Sequence, residues 1–166
     1  MHCTLDIEAS GFGRHAYPIE VGYVRDDGQA WCTLIRPLPE WTHWDERAAG
    51  VHRIDRQTLL RHGRPPAAVA QALNEALAGR TVYCDAWAHD YTWLALLYEA
   101  AGLTRAFRLE SVHRLLDDGL RAALEPALQQ ARRADGGQRH RASHDARVLQ
   151  RALGEVLSRT NPPSGH

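Results

Sequence analysis

The chain contains no lysine, so all 20 of its basic residues are arginine. Its 20 acidic residues balance them, and the formal net charge is zero at pH 7. This balance leaves no overall basic field of the kind that indicates nucleic-acid binding. Acids outnumber arginines in residues 1–102, and arginines outnumber acids in residues 103–166. Arginine favours planar, bidentate contacts such as those with phosphate, but an absence of lysine can also reflect the base content of a genome.

Long apolar runs are also absent. No stretch approaches the roughly 18 apolar residues of a membrane-spanning helix, and the first residues do not place a basic segment before an apolar one, as a secretory signal does. Three widely spaced cysteines, Cys3, Cys32 and Cys84, form no C-x-x-C pair, which argues against a disulfide framework and a zinc ribbon. Each lies in an apolar, strand-like stretch, so we expect all three to be buried in a reducing compartment. We therefore expect a cytoplasmic protein that does not enter a membrane.

The order of sequence patterns predicts the fold class. Three strands joined by tight turns come first, and helices then alternate with single strands. Strands are predicted at 3–10, 19–24, 30–35, 81–84 and 107–112, helices at 66–78, 89–101, 117–132 and 143–158, and short helical turns at 44–49 and 55–61. This order predicts an α/β fold with a mixed sheet, in which three antiparallel strands precede parallel strands and helices cover both faces. We expect one domain over 1–158 and a flexible tail over 159–166.

Two acids on the first strand are the first candidate functional residues. Side chains alternate along a strand, so Leu5 and Ile7 face the core while Asp6 and Glu8 share the other face. Neighbouring carboxylates repel each other, and a divalent cation with oxygen ligands removes that repulsion. Taken alone, an Asp-x-Glu pair is more often a solvated strand face. A metal site therefore needs further ligands from elsewhere in the chain.

Two further acids open helices. Asp90 lies in the first turn of the 89–101 helix, on the same stripe as core residues, and Asp145 lies in the first turn of the 143–158 helix. The partial positive charge of a helix N-terminus stabilises such acids by about 0.3–1 kcal/mol without any ligand. Ser143 is predicted to cap the second of these helices. Both acids thus have a structural explanation beside the metal-binding one.

A histidine stands five residues before Asp145, close to the Gly136-Gly137 pair. This residue, His140, could act as a general base with a pKa near neutral, although a loop histidine is more often a surface residue. His144 is a rival, and the two histidines at i, i+4 could form a zinc pair, but no H-E-x-x-H motif and no third nitrogen or sulfur ligand supports zinc. Four acids with one histidine are the chemical kit of two-metal phosphodiester cleavage, and carboxylates suit Mg²⁺ or Mn²⁺.

With these residues the sequence resembles the DEDDh 3′→5′ exonucleases of the ribonuclease H-like superfamily, which include oligoribonuclease, ribonuclease T and polymerase proofreading subunits. The matching residues are Asp6-Ile7-Glu8 for the D-x-E motif, Asp90 for the second aspartate, and His140 and Asp145 for the H-x4-D motif. The resemblance covers about residues 3–155. It implies a ribonuclease H-like fold, two ions of Mg²⁺ or Mn²⁺ held by the four acids, and a histidine base. It also implies release of nucleoside 5′-monophosphates from the 3′ end of single-stranded DNA or RNA.

Two departures from the family pattern affect the predicted substrate contacts. Many relatives carry His-Asn before the second aspartate, where this chain has Asp-Ala, so Asp85 is a competing candidate for the site. Many also carry Thr-Thr after the D-x-E motif, where this chain has Ala9 and Ser10. In the family these residues meet the 3′-terminal nucleotide, so both are candidate contacts, and Phe12 or Tyr17 could stack on its base. DNA or RNA preference, substrate length and a homodimer stay open.

Two other functions compete with this one. The neutral net charge is compatible with a module that keeps the exonuclease fold and binds nucleic acid without turnover, although enzymes acting at strand ends need few phosphate contacts. Gly11-Phe12-Gly13 formally matches the start of a dinucleotide-binding fingerprint, but Pro18 follows where that fingerprint needs a helix. Residues 10–17 are therefore predicted to form a loop, and a nucleotide-cofactor enzyme is the weakest of the three hypotheses.

Overall fold

A computed structural model describes residues 1–135 and 141–159. Its centre is a five-stranded sheet in the order β3-β2-β1-β4-β5. The strands are β1 (Cys3–Ala9), β2 (Pro18–Val24), β3 (Ala30–Leu34), β4 (Thr81–Cys84) and β5 (Arg108–Ser111). The helices of the described ranges are α1 (Glu46–His52), α2 (Arg56–His62), α3 (Pro66–Leu77), α4 (Trp87–Ala101), α5 (Asp118–Asp135) and α6 (Ala142–Ser158), with a 3₁₀ turn at Val112–Leu115.

The sheet is mixed, as the sequence predicts. β1 pairs antiparallel with β2, and β2 pairs antiparallel with β3 through a tight turn in which Gly28 has a left-handed φ of 82°. β1 and β5 both pair parallel with β4. Parallel strands end at the same edge of a sheet, so the carboxyl ends of β1 and β4 open side by side. The predicted fold class, with antiparallel strands followed by parallel ones, is confirmed.

The two faces of β1 contact different helices. Leu5 and Ile7 are buried in a core shared with α3 and α4. Alternate side chains point to the opposite face, where the Thr4 hydroxyl donates a hydrogen bond of 2.7 Å to the carbonyl oxygen of Ala146 in α6. Helices therefore cover both faces, as predicted. The two acids of β1 share the alternation of Thr4 and lie on the α6 side.

The start of α6 lies very close to β2. A Cβ atom built on Gly22 would lie 2.3 Å from the Ser143 backbone nitrogen, so a larger residue would push the helix away. The prediction that Ser143 caps α6 is wrong, because Ser143 lies inside the helix. The N-cap residue is Arg141, whose side chain makes no capping bond. The carboxylate of Glu20 on β2 instead accepts the Ala142 N–H at 2.9 Å.

Some local predictions differ from the structure. α4 begins at Trp87, two residues earlier than predicted, and is followed as predicted by Gly102, whose φ of 63° is left-handed. Cys3 and Cys84 are buried, whereas Cys32 is exposed because it lies on the edge strand β3. In the described part of the chain, no helix combines the length and apolar character needed to cross a membrane.

Three sequence predictions fall on residues outside the described ranges. They concern the Gly136-Gly137 connection, the candidate base His140, and the tail beyond Arg159, which closes α6. The flexible tail, the single-domain extent over 1–158 and the role of His140 therefore stay predictions.

Candidate active site

The carboxyl ends of β1 and β4 bring three aspartates together. In the parallel register Thr4 of β1 lies beside Tyr83 of β4. Asp6 and Asp85, each two residues further along the chain, therefore lie next to each other at this edge of the sheet. Asp90 joins them from the first turn of α4. Each of the three acids offers a carboxylate oxygen, and these oxygens all lie within 4.8 Å of one another. Asp85, a competing candidate in the sequence, thus lies with the predicted ligands.

A second group of three acids shares Asp6 with the first. Oxygens of Asp6, Glu8 and Asp145 also lie within 4.8 Å of one another. Asp145 comes from the first turn of α6, whose close approach to the sheet is allowed by Gly22. All four acids predicted as ligands therefore meet, with Asp6 at the centre. We refer to the five acids of the two groups as the acid cluster; they are Asp6, Glu8, Asp85, Asp90 and Asp145.

The acids of the cluster disturb one another's ionisation. Burial, followed by repulsion from Asp90 and Glu8, raises the pKa of Asp6 well above its ordinary range. Burial and then repulsion from Asp145 raise the pKa of Glu8 to about 7. Burial and then repulsion from Asp85 raise the pKa of Asp90 to about 8. Without a cation, these carboxyl groups keep protons near neutral pH, and a bound divalent cation would displace those protons.

Asp90 carries the clearest sign of a cation site. Its side chain is 1% exposed, and its Oδ2 atom is buried without a hydrogen-bond partner among the described residues. A buried polar oxygen without a partner is costly. The other donors of the cluster are also carboxylate oxygens, which suit hard divalent cations such as Mg²⁺ and Mn²⁺. The nearby Cys84 is not a competing soft ligand, because burial raises the pKa of its thiol and keeps it protonated. The residues therefore fit divalent cations.

An ion pair beside the cluster has no counterpart in the sequence analysis. Glu20 lies opposite Glu8 in the β1–β2 register and is 1% exposed. The Arg141 Nε atom donates to both Glu20 carboxylate oxygens at 3.0 Å. Burial and Asp145 raise the pKa of Glu8 most. Glu20 raises it further, and the Arg141 cation lowers it. The one sequence signal for this pair was an acid in the middle of an otherwise apolar strand.

A largely apolar cavity of about 560 Å³ opens beside the acid cluster. It lies between the end of β1, α1 and the first turns of α4, and Phe12, Val51 and Trp93 line its wall. The Phe12 ring is 68% exposed and meets His89 edge-on, with ring centres 5.5 Å apart. A largely apolar cavity that is also lined by acids can hold a flat apolar group whose charged end reaches the acids through a cation. We call it the Phe12 cavity.

The predicted substrate contacts do not all lie at this cavity. Ala9 lines it together with Phe12. Tyr17 requires a correction, because its side chain is fully buried and its ring stacks on Trp41 with centres 5.3 Å apart. Its hydroxyl also accepts a hydrogen bond from Arg56. No base can therefore stack on Tyr17, and Phe12 is the candidate that the structure leaves exposed.

Ser10 also requires a correction as a substrate contact. It is fully buried, its hydroxyl accepts the Tyr17 N–H at 3.1 Å, and the same oxygen lies 3.1 Å from the Nδ1 atom of His43. These bonds hold residues 10–17 as a loop that contains no helix, as predicted. The loop lacks the helix N-terminus of a dinucleotide-binding fingerprint, so the structure gives that hypothesis no support.

The two candidate histidines differ in what the structure shows. His144 is 8% exposed, and its Nδ1 atom lies 2.9 Å from a carboxylate oxygen of Asp135 at the end of α5. This contact links α5 to α6 and leaves His144 out of both groups of candidate ligands. His140, the predicted base, lies outside the described residues.

Solved structures of exonuclease I have the same architecture. Exonuclease I from Methylocaldum szegediense aligns with a TM-score of 0.69 and 17% identity, over 98% of this chain and 41% of its own. E. coli exonuclease I in complex with a dT13 oligonucleotide aligns with a TM-score of 0.68 and 16% identity, over 98% of this chain and 42% of its own. The zinc-bound form of the E. coli enzyme with single-stranded DNA gives 0.68 and 16%, over 98% and 41%.

These alignments show the fold of the chain. The chain has the fold of these exonuclease I structures, in agreement with the exonuclease resemblance seen in the sequence. The chain spans less than half of the length of these proteins. No protein-family model matches the chain, and no curated protein matches it in sequence. The comparisons give no support to a homodimer.

Proposed function

We propose that the chain is a divalent-metal-dependent 3′→5′ exonuclease that acts on single-stranded nucleic acid and releases nucleoside 5′-monophosphates. The observation that carries the proposal is the acid cluster, in which Asp6 belongs to both groups of three oxygens. Phosphodiester cleavage by two cations needs them a few ångströms apart, and one shared carboxylate keeps two sites that close. The buried Oδ2 atom of Asp90, which has no hydrogen-bond partner within the described ranges, is a second sign of cation binding.

The acid cluster divides between the two cations. Asp6, Asp85 and Asp90 would hold one cation, and Asp6, Glu8 and Asp145 would hold the other. Two bound cations supply an activated water and stabilise the leaving oxygen of an in-line displacement. The carboxyl groups of Asp6 and Asp90, whose pKa values are raised, would release their protons and become the ionised ligands. Cation binding should therefore weaken as the pH falls below about 8, the pKa of Asp90, and weaken further below about 7, the pKa of Glu8.

The Phe12 cavity is the proposed position of the terminal nucleoside. Acids and aromatic side chains both line it, so a 3′-terminal base can stack on Phe12 while its 5′ phosphate reaches the cluster. The scissile phosphate would then lie beside Asp6. In the family resemblance, His140 takes the proton from the attacking water.

The solved structures support the choice of a single-stranded substrate. E. coli exonuclease I, whose fold the chain shares, has been solved with oligonucleotides and with single-stranded DNA and a zinc ion. Because the chain spans about two fifths of that protein, the proposal includes only contacts that this chain itself can make.

The test follows the shortening of a 5′-labelled single strand of DNA or RNA, with Mg²⁺ or Mn²⁺ or with a chelator, and identifies the released mononucleotides by chromatography. The wild-type chain should shorten the strand from its 3′ end only when a divalent cation is present. Asp6→Asn should abolish release, because it removes a donor from both groups. Asp27→Asn is the matched control, since Asp27 lies in the β2–β3 turn, away from the carboxyl end of β1.

Three outcomes decide the proposal. Metal-dependent release by the wild type and the control, with loss in Asp6→Asn, supports it. Release that persists in Asp6→Asn or in the chelator refutes the metal assignment. Tight binding of the strand by the wild type without any release would favour the module that binds without turnover.

A further inference from the structure

A second cavity lies on the other side of the acid cluster from the Phe12 cavity. Its volume is about 310 Å³, and it lies between β1, α5 and α6. Asp6 and Asp145 line both this cavity and the Phe12 cavity, so the acids stand between the two. Arg132 and Leu128 of α5 form the far wall of the second cavity.

The second cavity continues along α5. A third cavity of about 280 Å³ shares Asp85 and Leu128 with it and extends to His113 and Arg121. Together these two cavities form one groove that begins at the acids and follows α5. We call it the α5 groove and define it by Asp85, Leu128, Arg132, Arg121 and His113.

Both cavities of the α5 groove combine an arginine with acids. Arg132 lines the second cavity together with Asp6, Asp85 and Asp145, and Arg121 lines the third cavity together with Glu125. Arg132 lies 3.8 Å from the exposed Glu125, whereas Arg121 lies 3.4 Å from the exposed Asp118 and also donates to the His113 carbonyl oxygen at 3.1 Å. Such surface pairs contribute little. Guanidinium donors therefore remain available to a phosphate, which arginine binds through paired N–H groups.

The proposed function makes a demand that this groove meets. If the terminal nucleoside occupies the Phe12 cavity and the scissile phosphate lies at the acids, the strand on the 5′ side must leave the cluster in another direction. The α5 groove opens there, with the apolar Leu128 and Val148 for a sugar and base and with Arg132 beside them.

We infer that the α5 groove is a binding site for the nucleotide on the 5′ side of the cleaved bond, and that Arg132 binds the next phosphate of the strand. Arg121 stands about 16 Å further along α5 and lines the third cavity, so a phosphate further upstream would meet it. The inference rests on the proposed function, and it adds a substrate requirement. A substrate must carry one more phosphate, upstream of the scissile one, to contact Arg132. A strand of three nucleotides has that phosphate, whereas a mononucleotide ester lacks it.

The experiment compares two substrates that share the same terminal nucleoside. One is the p-nitrophenyl ester of thymidine 5′-monophosphate, whose hydrolysis releases p-nitrophenolate and which has no upstream nucleotide. The other is a thymidine trinucleotide. Arg132→Ala should raise the ratio of KM for the trinucleotide to KM for the ester about tenfold, which corresponds to about 1.4 kcal/mol. Arg121→Ala should leave this ratio nearly unchanged, because the trinucleotide carries no phosphate further upstream. Arg133→Ala, which removes the exposed neighbouring arginine of α5, is the matched control.

Binding gives a readout that does not depend on turnover. Fluorescence anisotropy with a labelled phosphorothioate strand, which resists hydrolysis, measures affinity over a range of salt concentrations. Each lost phosphate contact should reduce the slope of log affinity against log salt by about 0.7. Arg132→Ala should show this reduction, Arg132→Lys should restore most of it because the charge returns, and Arg133→Ala should leave the slope unchanged.

The proposed function and the groove can fail separately. A wild-type chain that cleaves neither substrate contradicts the proposed function, and the salt slopes then decide the groove by themselves. A wild-type chain that cleaves both substrates, with Arg132→Ala changing both KM values equally or neither, overturns the groove. Equal salt slopes for the wild type and Arg132→Ala overturn it as well.

Discussion

Replacing Asp90 with asparagine is expected to stabilise the metal-free protein above neutral pH. Asp90 is 1% exposed, has an oxygen without a hydrogen-bond partner in the described residues, and has a pKa that burial and Asp85 raise to about 8. When it ionises, the native state holds a buried carboxylate, whereas the unfolded chain holds the same carboxylate in water. Asparagine has nearly the same shape and cannot ionise.

The direction of the effect follows from the protons that each state binds. Between about pH 4 and about pH 8 native Asp90 keeps a proton that the unfolded chain has lost, so the free energy of unfolding falls as the pH rises. One such proton gives a slope of about 1.4 kcal/mol per pH unit. Asp6 and Glu8 also have raised pKa values, so the wild-type slope should exceed that of one proton. Asp90→Asn removes the proton that Asp90 binds and part of the repulsion that raises the pKa of Asp6. The free energy of unfolding should therefore vary less with pH in the variant.

Urea unfolding in a chelating buffer, from about pH 5 to about pH 8, measures this slope. Asp90→Asn should be less sensitive to pH than the wild type and more stable at the upper end of the range. Asp27→Asn in the exposed turn should follow the wild type. Added Mn²⁺ should stabilise the wild type more than Asp90→Asn. A wild-type free energy of unfolding that rises over this range, or a slope that Asp90→Asn leaves unchanged, would refute the reasoning.

Three further predictions test the contacts around the site. Gly22→Ala should lower the free energy of unfolding by about 1–3 kcal/mol and reduce activity, because the added Cβ would lie 2.3 Å from the α6 backbone. Gly154→Ala is the control and should be tolerated, because a Cβ added there has no neighbour within 4 Å among the described residues. Glu20→Ala should cost about 2 kcal/mol in urea unfolding, since it removes the partner of the partly exposed Arg141. Phe12→Ala should raise KM for oligonucleotides about tenfold while the unfolding midpoint stays the same. Equal effects of the two glycine changes, an unaltered midpoint for Glu20→Ala, or an unchanged KM for Phe12→Ala would contradict the respective contact.

Local periodicity was enough to predict four members of the acid cluster. Alternation along one strand puts Asp6 and Glu8 on one face, and the first turns of two helices present Asp90 and Asp145. The structure retains each of these local features. The mixed sheet could be predicted for the same reason, because a tight turn at Gly28 specifies an antiparallel pair and strand–helix alternation specifies parallel ones.

Contacts that depend on register or packing could not be read from the sequence. Asp85 joins the cluster only because β4 pairs with β1 in a register that sets it level with Asp6. Glu20 meets Arg141 across 121 positions of the chain, when α6 packs on β2. Tyr17 looks like an exposed stacking residue in sequence, yet its loop turns into the core. Each outcome depends on tertiary structure rather than on neighbouring residues.

The proposed function requires the acid cluster to hold two divalent cations through a shared Asp6. Calorimetric titration with Mn²⁺ near pH 8, where the carboxyl groups can release their protons, tests this requirement most directly. We predict two bound ions for the wild type, one for Asp90→Asn, and none of comparable affinity for Asp6→Asn. A wild-type chain that binds no Mn²⁺, or Asp6→Asn that still binds two ions, would contradict the proposed function.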